Sequence, residues 1–211
     1  MTEEKRGDSF SILKSSLTRG DLGKAIASVI SDYSPGDLKT MQWNFSSKIK
    51  KIDPGYRKKL ENAINGHMNS TWEKIRLMNQ QGEFSQMKET LPEENKKYWT
   101  MVEEKCSSDN SKKDRIILLK YLLSGFCMFV LEVPPHPAGM PFPGGDQIQL
   151  IDGTDYCPVR TKANDVDFAL CPFCPAKQTP DVGYLKPPVG GSRIKKQEFI
   201  RDTYEFHHFN G

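Results

Sequence analysis

Proline is nearly missing from the first part of this 211-residue chain, where three of the fourteen prolines precede Pro134. Long uninterrupted helices are therefore allowed there, because a helix-interior proline removes a hydrogen bond and clashes with the preceding turn. No apolar run reaches the roughly 20 residues needed to cross a bilayer. The most apolar stretch, Ile116 to Val133, is interrupted by Lys120 and reads as a buried core helix, so no membrane partner is expected. The first residues, Met1-Thr2-Glu3-Glu4-Lys5-Arg6, have no apolar run behind them, so a secretory leader is not expected and the expected location is cytoplasmic. A net charge of +3 is too small to diagnose a nucleic-acid binder. That charge is also uneven, at +4 over residues 1–132 (22 basic, 18 acidic) and −1 over 133–211 (8 basic, 9 acidic). Five cysteines are an odd number and cannot form a complete disulfide framework. In a reducing compartment they serve as thiols, metal ligands or redox groups. Also missing are an internal repeat, a Ser/His/Asp order, a paired-carboxylate motif and a dinucleotide fingerprint.

What is present suggests a mainly α protein. The expected architecture is a bundle of five to six helices over residues 9–133, preceded by a disordered N-terminus at 1–8. A Pro/Gly-rich segment at 134–211 follows, packed on the bundle, with a small β-hairpin and the cysteine cluster. Phe10, Leu13 and Leu17 mark a first helix, which Arg19-Gly20-Asp21 breaks. Asp21 is read as the cap of the next helix, with Leu22, Ile26, Val29, Ile30 and Tyr33 on one face. Ser34-Pro35-Gly36-Asp37 and Asp53-Pro54 are further start signals, each a capping side chain followed by proline in the first turn. The long helix after Pro54 should end near Gly82. Thr90-Leu91-Pro92-Glu93 reads as a capping box, and Ser107 to Lys113 as a loop. Ile116–Val133, apolar on nearly every side, should be the centre of the bundle, ended by Val133-Pro134-Pro135. Trp43, Trp72 and Trp99 are expected to fill the core. Gln147–Ile151 and Thr154–Val159 flank Asp152-Gly153, a tight-turn dipeptide, and form the expected hairpin. Ile194 to Tyr204 suggests a last short helix.

The chemistry concentrates between His136 and Cys174. Cys171-Pro172-Phe173-Cys174 aims two thiolates at one point, with backbone N–H groups turned inward to steady the sulfurs. Pro175 departs from the usual metal knuckle and could cost one such bond. Cys157, delivered by the hairpin, supplies a third sulfur. Together with His136 these residues make up a Cys3His set suited to zinc, or three ligands of an iron–sulfur cluster. His207 and His208 are alternative fourth ligands. Whether a metal would be structural or catalytic stays open at this level. Cys171 and Cys174 also resemble a glutaredoxin-type redox pair, which would need an exposed Cys171 of lowered pKa. A third reading is a nucleic-acid or protein adaptor using the basic face Lys48, Lys50, Lys51, Arg57, Lys58 and Lys59. Pro141–Gly145 reads as a rigid connector, His67 as a packed histidine, and Cys106 and Cys127 as structural.

The run His136-Pro137-Ala138-Gly139-Met140-Pro141-Phe142-Pro143-Gly144-Gly145, with Tyr156-Cys157-Pro158-Val159 and Leu170-Cys171-Pro172-Phe173-Cys174-Pro175, resembles an uncharacterised family of methanogenic archaea. That family carries a His-Pro-x-Gly-x-Pro-Phe-Pro-Gly-Gly motif and downstream Cys-Pro elements. The resemblance implies an anaerobic, cytoplasmic setting in which an iron–sulfur cluster ranks with zinc. It carries over no activity.

Overall fold

A computed structural model describes residues 3–107, 111–142, 145–161 and 167–180. Six helices run α1 (Glu3–Ser15), α2 (Arg19–Ile30), α3 (Pro35–Lys48), α4 (Pro54–Gln80), α5 (Glu94–Lys105) and α6 (Ser111–Gly125). A small sheet follows, made of β1 (Gln149–Ile151), β2 (Thr154–Cys157) and β3 (Lys177–Gln178). The mainly α class, the helix number and the hairpin are as the sequence indicates. The N-terminus differs from expectation. Helix α1 begins at Glu3, inside the 1–8 stretch read as disordered, because Phe10 and Leu13 are buried and anchor the helix they belong to.

The helix starts show how local chemistry sets the elements. Thr18, not Asp21, is the N-cap of α2; its hydroxyl accepts from the Asp21 N–H, and the Asp21 carboxylate accepts from the Thr18 N–H in return. Asp21 is thus the third-position partner of a capping box. Ser34 and Asp37 repeat the device before α3. Asp53 caps α4 by accepting from the Tyr56 N–H, with Pro54 in the first turn. Gly82, at φ 71°, supplies the left-handed residue after α4. The Thr90 box fails. Helix α5 begins at Glu94 with no side-chain cap, and Thr90 instead pairs with Thr18 in an antiparallel bridge. There the backbone bond from Leu91 N–H to Leu17 O satisfies groups that a helix start would have used.

One continuous core runs from Phe10 to Ala176. Helix α2 packs on α1 and α4, α1 on α5, and α3 and α5 on α6. Leu118, Leu119, Tyr121 and Leu122 of α6 are fully buried, as expected of the central helix. That helix does not run unbroken to Val133. After Gly125 it widens into a π turn at Phe126–Val130, and the Val133 N–H donates to Cys127 O across the end. Arg19 closes the turn by donating from Nε and Nη2 to Val130 O at 2.9 and 2.6 Å. Trp72 and Trp99 are buried, whereas Trp43 is 66% exposed. It lies on α3 between the buried Met41 and Phe45, where the helical period turns it outward.

The expected hairpin forms around Asp152-Gly153, with Gln149 opposite Tyr156 and Ile151 opposite Thr154. Asp152 and Gly153 both have positive φ, 48° and 74°, as a two-residue hairpin turn demands. The third strand was not legible in the sequence. Lys177–Gln178 pairs parallel with β2, carried there by the turn after Cys174. The expected helix at Ile194–Tyr204 lies outside the described residues.

Candidate metal-ligand cavity

The segment after the central helix is pinned to the bundle by side chains. Tyr56 on α4 donates its hydroxyl to Pro141 O at 3.1 Å. Gly139 N–H donates to Ile148 O, Ile148 N–H to Met140 O, and Phe142 N–H to Asp146 O. Met140, Phe142 and Ile148 are buried beneath these bonds. The connector is thus folded onto the core with its apolar side chains inward. The cysteine turn is anchored by its aromatic residue. Phe173 meets the Tyr98 ring edge-on at 5.3 Å and the Phe129 ring at 6.5 Å, contacts that add to its burial. Tyr121 donates to Phe168 O at 3.1 Å, just ahead of this turn.

Cys157, Cys171, Cys174 and His136 all line one cavity, together with Met140, Phe142, Leu170 and Arg160. The three sulfurs arrive from the end of β2, from a 3-10 turn at Cys171–Phe173 and from the residue after it. They are close enough that a charge on Cys157 raises the pKa of both Cys171 and Cys174. The cavity volume is about 10 Å³, the space of a single water-sized sphere. Among the described residues no three or more His, Cys, Asp or Glu side chains are already arranged as a metal cage. The four donors therefore share a cavity without being preassembled.

Backbone N–H groups favour the thiolate form at the cysteines: those of Val159 and Arg160 at Cys157, that of Ala176 at Cys174, and Cys171's own at Cys171. Pro175 cannot donate, and Ala176 supplies the bond from one residue further on. Arg160 adds a positive charge that favours thiolate at all three cysteines. Its Nε donates to Cys174 O at 3.0 Å, tying the two cysteine turns together. Gln178 braces the same region by donating to Pro158 O and accepting from Thr161 N–H. Burial nevertheless dominates. It pushes Cys171 up to about 11, Cys174 up to about 12, and Cys157 upward. All three are thiols at neutral pH in the absence of a bound cation.

A low-pKa, exposed Cys171 is what the redox reading required, and the structure provides neither condition. Cys171 is buried, and its turn is a three-residue 3-10 segment without the long helix whose N-terminus lowers a thiol pKa. On the basic face, Lys48, Lys50, Lys51, Lys58 and Lys59 are exposed, and Arg57 donates to Lys50 O. His207 and His208 lie outside the described residues. Sequence reasoning passed over one arrangement. The His67 Nε2 lies 3.7 Å from the Cys127 sulfur, and the Thr71 hydroxyl lies 3.7 Å from it on another side. The other ring nitrogen hydrogen-bonds the Pro135 carbonyl. His67 and Thr71, four residues apart on α4, share one helix face, but nothing in the sequence brings Cys127 to them.

A family model described as an uncharacterized protein conserved in archaea (DUF2115) matches residues 18–179, which is most of the chain and the whole of the site. The chain belongs to that family. It is similar to a UPF0305 protein of Methanothermobacter thermautotrophicus, 48% identical over 52 residues, covering 25% of this chain and 34% of the relative. It is also similar to a UPF0305 protein of Methanopyrus kandleri, 28% identical over 86 residues, covering 41% of this chain and 61% of that relative. The chain thus spans from about a third to three fifths of the length of these relatives. No solved structure matches. Among the described residues no helix is long and apolar enough to cross a membrane.

Proposed function

We propose that this family member binds a single metal ion, zinc being the best fit, through Cys157, Cys171 and Cys174, with His136 as fourth ligand. The observation that carries the reading is the shared cavity: four donors from separate turns line one space of about 10 Å³. That volume suits one ion, whereas a cubane cluster would need the lining to move apart. Three thiolates and one imidazole would give the ion a net charge of −1, which Arg160 can offset. The N–H groups that favour thiolate at Cys157 and Cys174 are the donors that stabilise metal thiolates. A reducing cytoplasmic setting would keep the ligands available.

Binding must release protons, because buried thiols give way to thiolates. It also requires the side chains to turn inward from their positions in the cavity wall. If all four donors engage, the site is closed and its role is structural; a position left to solvent would make it catalytic.

Metal analysis and an absorption spectrum of anaerobically purified protein test the reading. One equivalent of a colourless divalent metal is expected. Cys157→Ser and Cys171→Ser should each lower metal affinity at least about tenfold, since even outer-shell partners are worth that much. Cys106→Ser, outside the cavity, should change nothing. Metal content unchanged in both ligand variants sinks the proposal, and a visible charge-transfer band would replace zinc with an iron–sulfur cluster.

A further inference from the structure

A second cavity, partly open to solvent, lies between α3, α4 and α6 and the Pro135-His136 turn. It has a volume of about 30 Å³ and is lined by His67, Thr71, Lys120, Ser124 and His136 among apolar side chains from α3, α4 and α6. Its chemistry is opposite to that of the cysteine cavity. Lys120 interrupts the most apolar helix of the chain. Its Nζ is buried without a hydrogen-bond partner among the described residues and lies over the Tyr121 ring at 3.7 Å. A buried ammonium without an acceptor is costly unless it is neutralised or finds an anion. Lys48 and Lys105 are near enough to act on it electrostatically and add positive potential, with Cys106 the smaller, opposing influence. The cysteine Sγ atoms favour a cation; this cavity, by the same reasoning, favours an anion.

We propose that this cavity is a binding site for a small monoanion of about three heavy atoms, of the formate or nitrite class, held by the Lys120 ammonium. Size sets the class, since 30 Å³ accommodates about two water-sized positions, too few for a phosphate or a dicarboxylate. The bound anion would supply the acceptor that Lys120 lacks. Without it, burial first, then Lys48 and Lys105, push the amine's pKa downward, and an anion beside it would act in the opposite direction. His67 is accounted for separately. Its ring is engaged with Cys127 and Pro135, and burial holds its pKa down, so it forms a neutral wall. The inference does not depend on the metal reading, although His136 lines both cavities.

The test is thermal unfolding of the full chain in sodium formate against sodium MES at equal ionic strength, MES being a sulfonate too bulky to enter. At a hundredfold excess over Kd, formate should raise the wild-type midpoint saturably by roughly 5 °C beyond MES. Lys120→Met should abolish that difference. Ser124→Val, which narrows the cavity and leaves the amine in place, should abolish or sharply reduce it, and decides the matter if Lys120→Met does not fold. Metal content measured on the same samples should be unaffected, which keeps this result separate from the fate of the cysteine site. Equal effects of formate and MES on the wild type would overturn the proposal, as would a formate-specific rise that survives in Ser124→Val or in folded Lys120→Met.

Discussion

Asp37 shows how much one side chain can hold. It closes the capping box of α3 and also accepts from Arg115 on α6, at 3.2 Å from Nε and 3.1 Å from Nη2. The Arg115 guanidinium, first among the causes, pulls its carboxyl down to about 2. A carboxylate depressed in the folded state stabilises the protein above its unfolded pKa, near 3.8, and that contribution is lost as pH falls toward 2. Asp37→Asn should therefore cost on the order of 1–2 kcal/mol at pH 7, and the difference from wild type should shrink between pH 4 and pH 2 in denaturant titrations. A second prediction at this scale concerns the thiols. With Cys171 and Cys174 pushed up to about 11 and 12, neither should react measurably with iodoacetamide at pH 7 in the folded state. Both should label once the chain is unfolded in urea. Rapid labelling of native protein at Cys171 would revive the redox reading.

At the scale of elements, the approach of α2 to the turn at 82–87 is governed by Gly20. A Cβ there would come within 2.0 Å of Phe84 O and 2.6 Å of Met87 O, both backbone atoms that cannot rotate aside. Gly20→Ala should cost about 2–3 kcal/mol through overpacking, even though alanine is the better helix former. Gly7→Ala on α1, with nothing near the added methyl, should be neutral or slightly stabilising. Equal melting points for the two variants would show that α2 can shift without penalty. The π turn is the other special element. Two residues beyond its end at Val130 comes Glu132, a non-glycine residue at φ 57°, which pairs with Arg19 at 2.9 Å. The pair is partly exposed and worth little, so Glu132→Gly should leave stability level or raise it by up to about 1 kcal/mol.

For the whole molecule, the cysteine segment and the bundle share one core, and Phe173 is the most direct link between them. Phe173→Ala removes its edge contacts with Tyr98 and Phe129 and should cost about 3 kcal/mol if the turn stays docked. If the turn releases instead, metal affinity should fall along with stability. A calorimetric scan with and without added zinc separates these outcomes. In the first case zinc still raises the midpoint; in the second it does so only weakly.

Amino-acid order alone determined the capped helix starts at Ser34 and Asp53, the apolar central helix, the Asp152-Gly153 hairpin and the grouping of soft ligands after His136. These are local signals, in which a side chain acts on its own backbone or on the next turn. Tertiary structure decided what local signals cannot reach. It paired Thr90 with Thr18 instead of letting it cap α5, turned Trp43 outward and widened the helix after Gly125 into a π turn. It added β3 beside β2, brought Cys127 against His67, and gave the two cavities a shared lining residue in His136. Each of these depends on contacts between residues far apart in the chain, whose geometry is fixed only when the core closes.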